Sequence, residues 1–537
     1  MIPLLGSRRS AVLLGVGVVV LALGQCGGAF ALFTDSTTAG AGSFQTGTLP
    51  TPGGLAVSNG GCSGGAAQTN VTSSWTGSSA LDGSGHYLVG GYSVLRSASS
   101  SGPYASAGTV TGSPPPTTYT DTGPSGATTP LVYVSAGNGA ATAQSINSST
   151  YAAATVSLSG AVGDEPNAFQ VTPDGSKLVV AEGAAHQVQI VSTATGAVTS
   201  TVSIPAVGAT PSKPNAVAVN PAGTTAWIAD AANARVYPLS LATSTLGGAI
   251  TVGAQGDPTA MVVTPNGAQV FVADYGSHQV SAINTSTDAV TNIAIGGTTG
   301  TPIALAVTPN SGHVYVADQA NNLIDDITTS SLTVTTTIPV ASLADNDGFI
   351  ASGGDPNILA ITPGGNKLYV ASYVGGSVED ITVSGDSDVL AGTIALPPGG
   401  VDGVPYPNAV ALTPNGCQLY VDDYDNNKID VITVSTDTVV ATPAIGDTGD
   451  PIGMAVTPNG AAVYVANYYD STASVISTSG NTVVDTPSTG SGGSSPYAIA
   501  ITPSSYYYEV AGTHGGWTSA PSSSAMYTLG WNVGGWQ

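Results

Sequence analysis

Positive charge is nearly missing from this sequence. Only 8 of its 537 residues are lysine or arginine, against 32 acidic residues, so the formal net charge is −24. Binding to a nucleic-acid backbone requires clustered basic residues, so we expect no nucleic-acid partner. An anionic membrane surface is a poor partner for the same reason. The chain is nevertheless 42% hydrophobic, which is too apolar for an intrinsically disordered protein.

Long apolar runs are also missing. The run at residues 11–24 has 14 residues, fewer than the roughly 20 that a membrane-spanning helix needs. Arg8 and Arg9 precede this run and the small-residue motif Ala-Phe-Ala follows at residues 29–31, so residues 1–31 are interpreted as a secretory signal peptide cleaved near Ala31. We therefore expect a secreted or cell-surface protein with no membrane span in its mature form. The sequence leaves the choice between the general and the twin-arginine export route open.

Cysteine is scarce, with three residues in the chain. Cys26 lies inside the predicted signal peptide, which leaves Cys62 and Cys417 in the mature protein. An oxidising compartment permits one disulfide between them. Because the two residues fall in different predicted domains, we expect free or buried thiols instead.

Residues 32–49 form a leader segment after the predicted cleavage site. Residues 31–36 (ALFTDS) and 43–49 (SFQTGTL) resemble the mature start of camelysin/TasA-type biofilm-matrix proteins. Two interpretations follow from this resemblance. The segment is either a processing signal with a flexible leader, or a strand donated to the sheet of a neighbouring molecule, which implies self-assembly.

A repeated phrase covers most of the chain. It begins with proline, has eight residues and ends in Thr-Pro or, once, Asn-Pro. Its copies begin at Pro166, Pro214, Pro258, Pro302, Pro356, Pro407, Pro451 and Pro496. After most copies, an Asx-Gly pair such as Asn266-Gly267 predicts a tight turn, and a second strand follows, for example residues 270–274 (VFVAD). Residues 280–283 and 292–295 supply a third and a fourth strand of the same unit.

Four short strands in a period of about 44 residues are typical of a β-propeller blade. Blades pack on a neighbour at both faces, which explains strands that are apolar without clean alternation. Residues 464–467 (YVAN) and 315–318 (YVAD) resemble the YVTN-type propeller repeat of surface, S-layer-like and lactonase-like proteins, and the resemblance covers about 370 residues. It implies a propeller with a binding or structural role, or an enzyme of the lactonase or lyase type.

The two ends of the repeat region predict how the ring closes. Residues 131–160 align with a blade that lacks its first strand, and the missing strand reappears at residues 496–503. Pairing these segments gives eight blades, one of them composite, whereas seven remain if residues 131–160 lie elsewhere. The predicted fold class is therefore all-β, with an eight-bladed, alternatively seven-bladed, β-propeller at residues 130–504.

Residues 50–129 resemble the first part of a fibronectin type III sandwich that stops early. Residues 506–512 and 517–524, beyond the propeller, resemble its last two strands. We infer that the propeller is inserted into this sandwich or joined to it, with residues 505–537 as the last part, because the two ends of a compact domain often lie close together. The alternative is a complete sandwich at residues 50–150 followed by a tail.

Propeller ligands usually bind the face formed by the loops from second to third strand and from fourth strand to the next blade, called the top face below. The residues that end the second strands form a column on this face: Ala136, Glu182, Asp230, Asp274, Asp318, Ser372, Asp423 and Asn467. One interpretation is an acidic rim that binds a ligand through Glu182, Asp230, Asp274, Asp318 and Asp423. The other, which we favour, is that these side chains accept backbone N–H groups in Asx-turns.

Two dense acidic loops are candidate metal sites. Carboxylates two residues apart and followed by glycine suit Ca²⁺. The candidates are Asp345, Asp347 and Asp355 in the longest inter-blade insertion, and Asp422 and Asp425 in a later loop. Neither loop has the full spacing of an EF-hand. His186 and His278 occupy equivalent turns two blades apart, and we expect a turn role rather than a shared metal.

The sequence offers little for catalysis. The propeller has one arginine, Arg235, and one tryptophan, Trp227, and the chain has no G-x-S-x-G or H-E-x-x-H motif. We expect an exported, non-catalytic protein that binds an extracellular protein or glycan, or does structural work, at the cell surface or in matrix, with Ca²⁺ as its one candidate cofactor. The alternatives are a lactonase- or lyase-type enzyme and a subunit of an extracellular filament.

Overall fold

The computed structural model describes the chain in segments. Strands and tight turns make up almost all of the residues in these segments. The described residues are 53–59, 71–76, 91–97, 105–111, 116–121, 129–136, 142–158, 166–254, 257–296, 299–343, 358–399, 403–446, 450–490, 496, 498–514, 517–518 and 525–529. Two short 3-10 helices occur in these segments, Tyr275–Ser277 and Tyr424–Asn426. Within the same segments, no helix has the length and apolar character needed to span a membrane. The all-β prediction is confirmed.

Eight antiparallel sheets, numbered as blades 1 to 8, form the larger of two compact units. In each blade the strands are given from first to fourth. Blade 1 contains Ile499–Ile501, Leu131–Ala136, Thr142–Asn147 and Ala153–Ser157. Blade 2 contains Pro166–Val171, Lys177–Glu182, Gln187–Ser192 and Val198–Ser203. Blade 3 contains Pro214–Val219, Thr225–Asp230, Arg235–Ser240 and a split fourth strand, Thr245–Leu246 and Ile250–Thr251.

The next five blades repeat the same order of strands. Blade 4 contains Pro258–Val263, Gln269–Asp274, Gln279–Asn284 and Val290–Ala294. Blade 5 contains Pro302–Val307, His313–Asp318, Leu323–Thr328 and Thr333–Pro339. Blade 6 contains Leu359–Ile361, Lys367–Ser372, Ser377–Thr382 and Val389–Ala395. Blade 7 contains Val410–Leu412, Gln418–Asp423, Lys428–Thr433 and Thr438–Ala441, and blade 8 contains Pro451–Val456, Ala462–Asn467, Thr472–Ser477 and Thr482–Asp485.

The ring closes through a blade assembled from both ends of the repeat region. Ile499 pairs with Val134, and Ile501 pairs with Val132, in an antiparallel ladder. The first strand of blade 1 contacts the first strands of blades 8 and 2, so the eight first strands form a closed circle. The prediction of eight blades with one composite member is confirmed, and the seven-bladed alternative is wrong.

The repeated Thr-Pro and Asx-Gly residues build the turn between first and second strands. In blade 7, the Thr413 hydroxyl donates to the Asn415 side chain at 2.7 Å and accepts the backbone N–H of Gln418 at 3.0 Å. Gly416 has a φ of +68°, and a Cβ there would lie 2.9 Å from Pro363 of blade 6. Glycine is therefore required both by the backbone conformation and by the proline of the preceding blade.

Buried apolar side chains fill the interfaces between neighbouring blades all around the ring. Seven of the eight second strands carry a buried aromatic at their third position: Tyr133, Trp227, Phe271, Tyr315, Tyr369, Tyr420 and Tyr464. Small residues such as Ala216 and Ala218 occupy the first strands, where the wedge-shaped blades converge. This distribution, with bulky groups between blades and small ones at the axis, is what lets eight similar sheets form one ring.

The smaller unit takes strands from both sides of the propeller. One sheet contains Gly53–Asn59, Val71–Thr76 and Thr118–Asp121. The other contains, in spatial order, Ala105–Thr111, Gly91–Ser97, Ser504–His514 and Trp517–Thr518, and Ala525–Leu529 also pairs with Ser504–His514. Chain segments that precede and follow the propeller thus share one sheet. The fibronectin type III likeness and the exact domain boundaries stay predictions, and residues 1–49 lie outside the described segments.

Candidate functional site

The acidic column predicted for the top face is buried. All eight residues that end the second strands are at most 1% exposed. Each of these residues is the last of its second strand, before the turn that leads to the third strand. Its side chain is buried inside the protein and is not part of the exposed surface of that turn. The five residues predicted to bind a ligand, Glu182, Asp230, Asp274, Asp318 and Asp423, therefore do not form an exposed acidic rim.

Three of these carboxylates bind the backbone in the same way. Asp318 accepts the N–H of Thr301, 17 residues earlier, at 2.8 Å. The equivalent bonds join Asp230 to Lys213 at 2.7 Å and Asp423 to Tyr406 at 2.9 Å. Each bond ties the end of a second strand to the residue directly before the proline that begins the repeat of the same blade. The favoured structural interpretation thus accounts for these three side chains, and their ligand-binding role stays a prediction.

An asparagine three residues further along completes each of these contacts. The amides of Asn233, Asn321 and Asn426 donate to the carboxylates of Asp230, Asp318 and Asp423 at 2.7–2.8 Å. Lys428 adds an ion pair to Asp423 at 3.2 Å. The sequence signal for this arrangement is the repeated spacing Asp-x-x-Asn at the end of the second strand.

The other two predicted residues have different partners. Glu182 accepts the side-chain amides of Gln187 and Gln189, each at 2.6 Å. Burial raises the pKa of Asp274 to about 6, although hydrogen bonds from Ser277 lower it. The nearby Asp257 raises it further, and burial also raises the pKa of Asp257. Asp274 is therefore an acid that loses its proton within the range of mildly acidic to neutral pH.

The candidate calcium loops fall partly outside the described segments. Asp345, Asp347 and Asp355 all lie in the undescribed stretch 344–357. Asp422 is fully buried, and its carboxylate accepts the N–H groups of Asn408, at 2.7 Å, and Ala409. Burial raises the pKa of Asp422 well above its ordinary value. Asp425, by contrast, is exposed in the 3-10 helix that follows, so Asp422 is committed to the backbone while Asp425 faces solvent.

The two histidines at equivalent turns are structural. His186 and His278 each have a φ of 57°, in the left-handed region. Their Nδ1 atoms hydrogen-bond to backbone carbonyls, that of His186 to Ser212 and that of His278 to Gly300, the latter at 2.7 Å. Each ring thus joins a turn to the loop that leads into the next blade, and the expected turn role is confirmed.

Cys417 is disulfide-bonded. The expectation of free or buried thiols is therefore wrong for this residue.

The top face carries a feature that the sequence reading missed, a set of tyrosines. The residue directly after the column is tyrosine in four of the eight blades: Tyr275, Tyr373, Tyr424 and Tyr468. Tyr373 packs against Tyr406, with ring centroids 5.2 Å apart. Tyr468 meets Tyr469 edge to face at 4.9 Å, and Tyr469 is 61% exposed. Tyr275, Tyr424 and Tyr468 are half-buried and Tyr373 is 6% exposed, so Tyr469 is the tyrosine of this set that presents most of its surface to solvent.

Comparison with known proteins gives similarity of fold. The family described as "Lactonase, 7-bladed beta-propeller" matches residues 280–397, from the third strand of blade 4 to the end of blade 6. No curated protein matches the chain. Among solved structures, dihydro-heme d1 dehydrogenase NirN in complex with DHE is 12% identical with a TM-score of 0.55, and the match covers 69% of this chain and 74% of that one.

Two further solved structures show a weaker likeness. Hydrazine synthase of Kuenenia stuttgartiensis is 19% identical, with a TM-score of 0.45, and the match covers 58% of this chain and 95% of that one. A catalytically inactive virginiamycin B lyase from Staphylococcus aureus with quinupristin is 17% identical, with a TM-score of 0.43, covering 56% and 91%. At such identities the likeness is one of fold alone. The chain is similar to lactonase-like propellers over part of its length, and its ring has eight blades rather than seven.

Proposed function

We propose that this chain is an exported, non-catalytic β-propeller protein that binds an extracellular glycan or protein through the tyrosines of its top face. The observation that carries this proposal is the exposed ring of Tyr469, 61% exposed and packed edge to face on the half-buried Tyr468, with half-buried tyrosines at the place of Tyr468 in blades 4 and 7. Tyrosine offers an apolar ring and a polar hydroxyl on a short, stiff side chain, and it is enriched at binding surfaces for this reason.

The placement of the acidic side chains supports binding over catalysis. A propeller enzyme needs polar groups that converge on a substrate, whereas Asp230, Asp318 and Asp423 hold backbone N–H groups beneath the face. The exposed part of the face is instead contributed by side chains such as Tyr469 and Val374, which are 61% and 37% exposed. Aromatic and aliphatic groups on a rigid ring suit recognition of a sugar or peptide surface.

Two observations support export. The disulfide at Cys417 is typical of proteins that fold in an oxidising compartment. The pattern at residues 1–31 is that of a secretory signal peptide. The resemblance of residues 31–49 to camelysin/TasA-type proteins and of the flanks to fibronectin type III domains suits the same surface or matrix location.

A binding experiment with matched variants tests the proposal. The purified chain is applied to an array of cell-wall and matrix polysaccharides and to immobilised matrix proteins. We expect binding that falls at least tenfold in Tyr469→Ala, about the 1.4 kcal/mol that one buried aromatic anchor supplies. Val484→Ala, which removes an exposed side chain from the outer strand of blade 8, should bind as the unchanged protein does. Equal loss in both variants, or no binding to any surface, would contradict the proposal.

Activity and assembly assays separate the alternatives. The partial match to the lactonase family makes a panel of lactones the relevant substrates. Turnover that disappears in Asp274→Asn would replace the binding role by an enzymatic one. Fibres in electron micrographs of the intact chain, lost when residues 32–49 are removed, would instead assign it to filaments.

A further inference from the structure

A cluster of metal-ligating side chains lies between blades 5 and 6, away from the top face. His313 begins the second strand of blade 5, and its Nδ1 lies 3.0 Å from both carboxylate oxygens of Asp326 on the third strand. Asp386, in the turn between the third and fourth strands of blade 6, completes the group, and ligand atoms of the three residues all lie within 4.8 Å of one another. His313 is 14% exposed at its side chain and Asp326 is fully buried.

The next interface along the ring has a lysine at the equivalent place. Lys367 begins the second strand of blade 6, as His313 does in blade 5, and Asp380 is the counterpart of Asp326 on the third strand. The Lys367 ammonium lies 2.9 Å from Asp380 and 2.7 Å from Asp437, a residue in the third-to-fourth-strand turn of blade 7. A cation thus lies between a carboxylate of one blade and a carboxylate of the next.

The blade 5–6 interface has more negative charge and lacks that cation. Asp388 corresponds to Asp437, since it accepts the Tyr315 hydroxyl as Asp437 accepts that of Tyr369. Asp386 is an additional carboxylate, and Thr328 donates to it at 2.9 Å. Three carboxylates, those of Asp326, Asp386 and Asp388, therefore lie at the blade 5–6 interface. Only two, those of Asp380 and Asp437, lie at the equivalent place beside Lys367. A histidine stands in place of the lysine, and an imidazole, unlike an ammonium, offers a lone pair to a metal ion.

We propose that His313, Asp326 and Asp386 bind one divalent transition-metal ion of the zinc class, which joins blades 5 and 6 as the Lys367 ammonium joins blades 6 and 7. One imidazole and two carboxylates form a donor set that Zn²⁺ accepts, with water at the remaining position. Two donors of a tetrahedral ion about 2.1 Å from each are about 3.4 Å apart. His313 Nδ1 and the Asp326 carboxylate, now 3.0 Å apart, would need to separate by only a few tenths of an ångström to hold the ion. The Asp386 carboxylate is within 4.8 Å of the other two ligand atoms, which is too far for a shared ion. Because Asp386 is exposed, its side chain can rotate to bring the carboxylate closer.

Zinc titration of the full chain tests this site. The protein is treated with EDTA, dialysed and titrated with ZnCl₂ by calorimetry, and thermal unfolding is recorded with and without zinc. We expect one tight site and a higher unfolding temperature with zinc. Asp386→Asn and His313→Gln should each weaken zinc binding at least tenfold, and MgCl₂ should give a much weaker response because the imidazole favours transition metals.

His313→Lys is the decisive variant. It rebuilds the neighbouring interface, so the metal-free variant should unfold at a higher temperature than the metal-free parent and should show no further rise with zinc. Asp437→Asn, at the lysine-containing interface, and His186→Asn, at a distant turn, should leave zinc affinity within twofold. Zinc affinity that is unchanged in His313→Lys, or no zinc binding by the parent protein, would overturn the proposal.

Discussion

At the scale of single residues, the recurring acids of this protein are fastened to the backbone. Asp318 is fully buried and accepts the N–H of Thr301 and the amide of Asn321, which are both half-buried. A buried N–H that loses its acceptor costs free energy. The repeated aspartate is thus best understood as a support for the loop that enters each blade.

Replacing Asp318 with alanine should lower stability. The variant leaves the N–H of Thr301 without its acceptor, so we expect the free energy of unfolding to fall by about 1–3 kcal/mol. Urea unfolding followed by circular dichroism measures the change. Asp288→Asn, a substitution in an exposed turn whose left-handed backbone suits asparagine, should change stability by less than about 0.5 kcal/mol. An Asp318→Ala protein as stable as this control would refute the supporting role.

Asp274 should make stability depend on pH. Its folded-state pKa of about 6 lies above the ordinary value of 3.8, so between these two values the folded protein holds a proton that the unfolded chain has released. Stability from this group is therefore greatest at low pH, falls as pH rises from about 4 to about 6, and is level above that. Asp274→Asn cannot titrate, so the difference in unfolding free energy between parent and variant should shift by up to about 3 kcal/mol over this window. Urea unfolding at pH 4, 5, 6 and 7 measures it, and parallel curves would contradict the assignment.

At the scale of elements, neighbouring blades are joined by a hydroxyl at the third position of the second strand. The Tyr369 hydroxyl donates to Asp437 at 2.7 Å, and that of Tyr420 donates to Asn481 at 2.6 Å, each in the next blade. The ring of the tyrosine packs between blades while its hydroxyl reaches the turn beyond. Phe271 fills the same position in blade 4 with the ring alone, so packing and hydrogen bonding are separable at this position.

Removing one hydroxyl at a time tests this joint. Tyr369→Phe should lose about 1.5–3 kcal/mol of stability, because the acceptor is a carboxylate. Tyr464→Phe is the matched control: its hydroxyl is buried, and within the described part of the chain it finds no hydrogen-bond partner. That variant should be as stable as the parent to within about 0.5 kcal/mol. Similar losses in the two variants would show that the ring, and not the inter-blade bond, is responsible.

At the scale of the whole molecule, the ring depends on one short strand supplied from far along the chain. Ile499–Ile501 pairs with Val132–Val134 and lies between the first strands of blades 8 and 2. Without it, blade 1 would have an unpaired edge and blade 8 an uncovered apolar face. The strand thus decides whether eight blades form a closed ring or an open arc.

A charge in the closing strand should open the ring. Ala500 is fully buried against Tyr133 and Phe169, so Ala500→Asp should cost at least about 3 kcal/mol and make blade 1 sensitive to limited proteolysis with thermolysin. Ala154→Asp places the same group on the exposed fourth strand of the same blade and should change stability by less than about 0.5 kcal/mol. Equal protease resistance of the two variants would show that closure does not depend on this strand.

Much of the fold was predictable because the same short sequence pattern occurs eight times. The proline that begins a strand, the threonine that caps a turn and the glycine with positive φ act over a few residues, so each copy could be interpreted by itself. Composite closure was also predictable, because Leu131 and Pro496 begin the two halves of one repeat. The role of the acidic column was predicted as one of two alternatives. The tyrosines beside it were not predicted, since the degree to which Tyr468 and Tyr469 are exposed depends on how the strand ends.

The strand pattern, the number of blades and the segment that closes the ring can be read from the amino-acid sequence, because they follow from short-range preferences and from counting repeats. Which polar groups meet depends on the packing of the blades in three dimensions. His313 and Asp386 are 73 positions apart in the numbering and approach each other because a turn of one blade lies against a strand of the preceding blade. Which carboxylates are buried, and which face carries exposed tyrosine, follow from the packing of blade on blade, which local patterns do not encode.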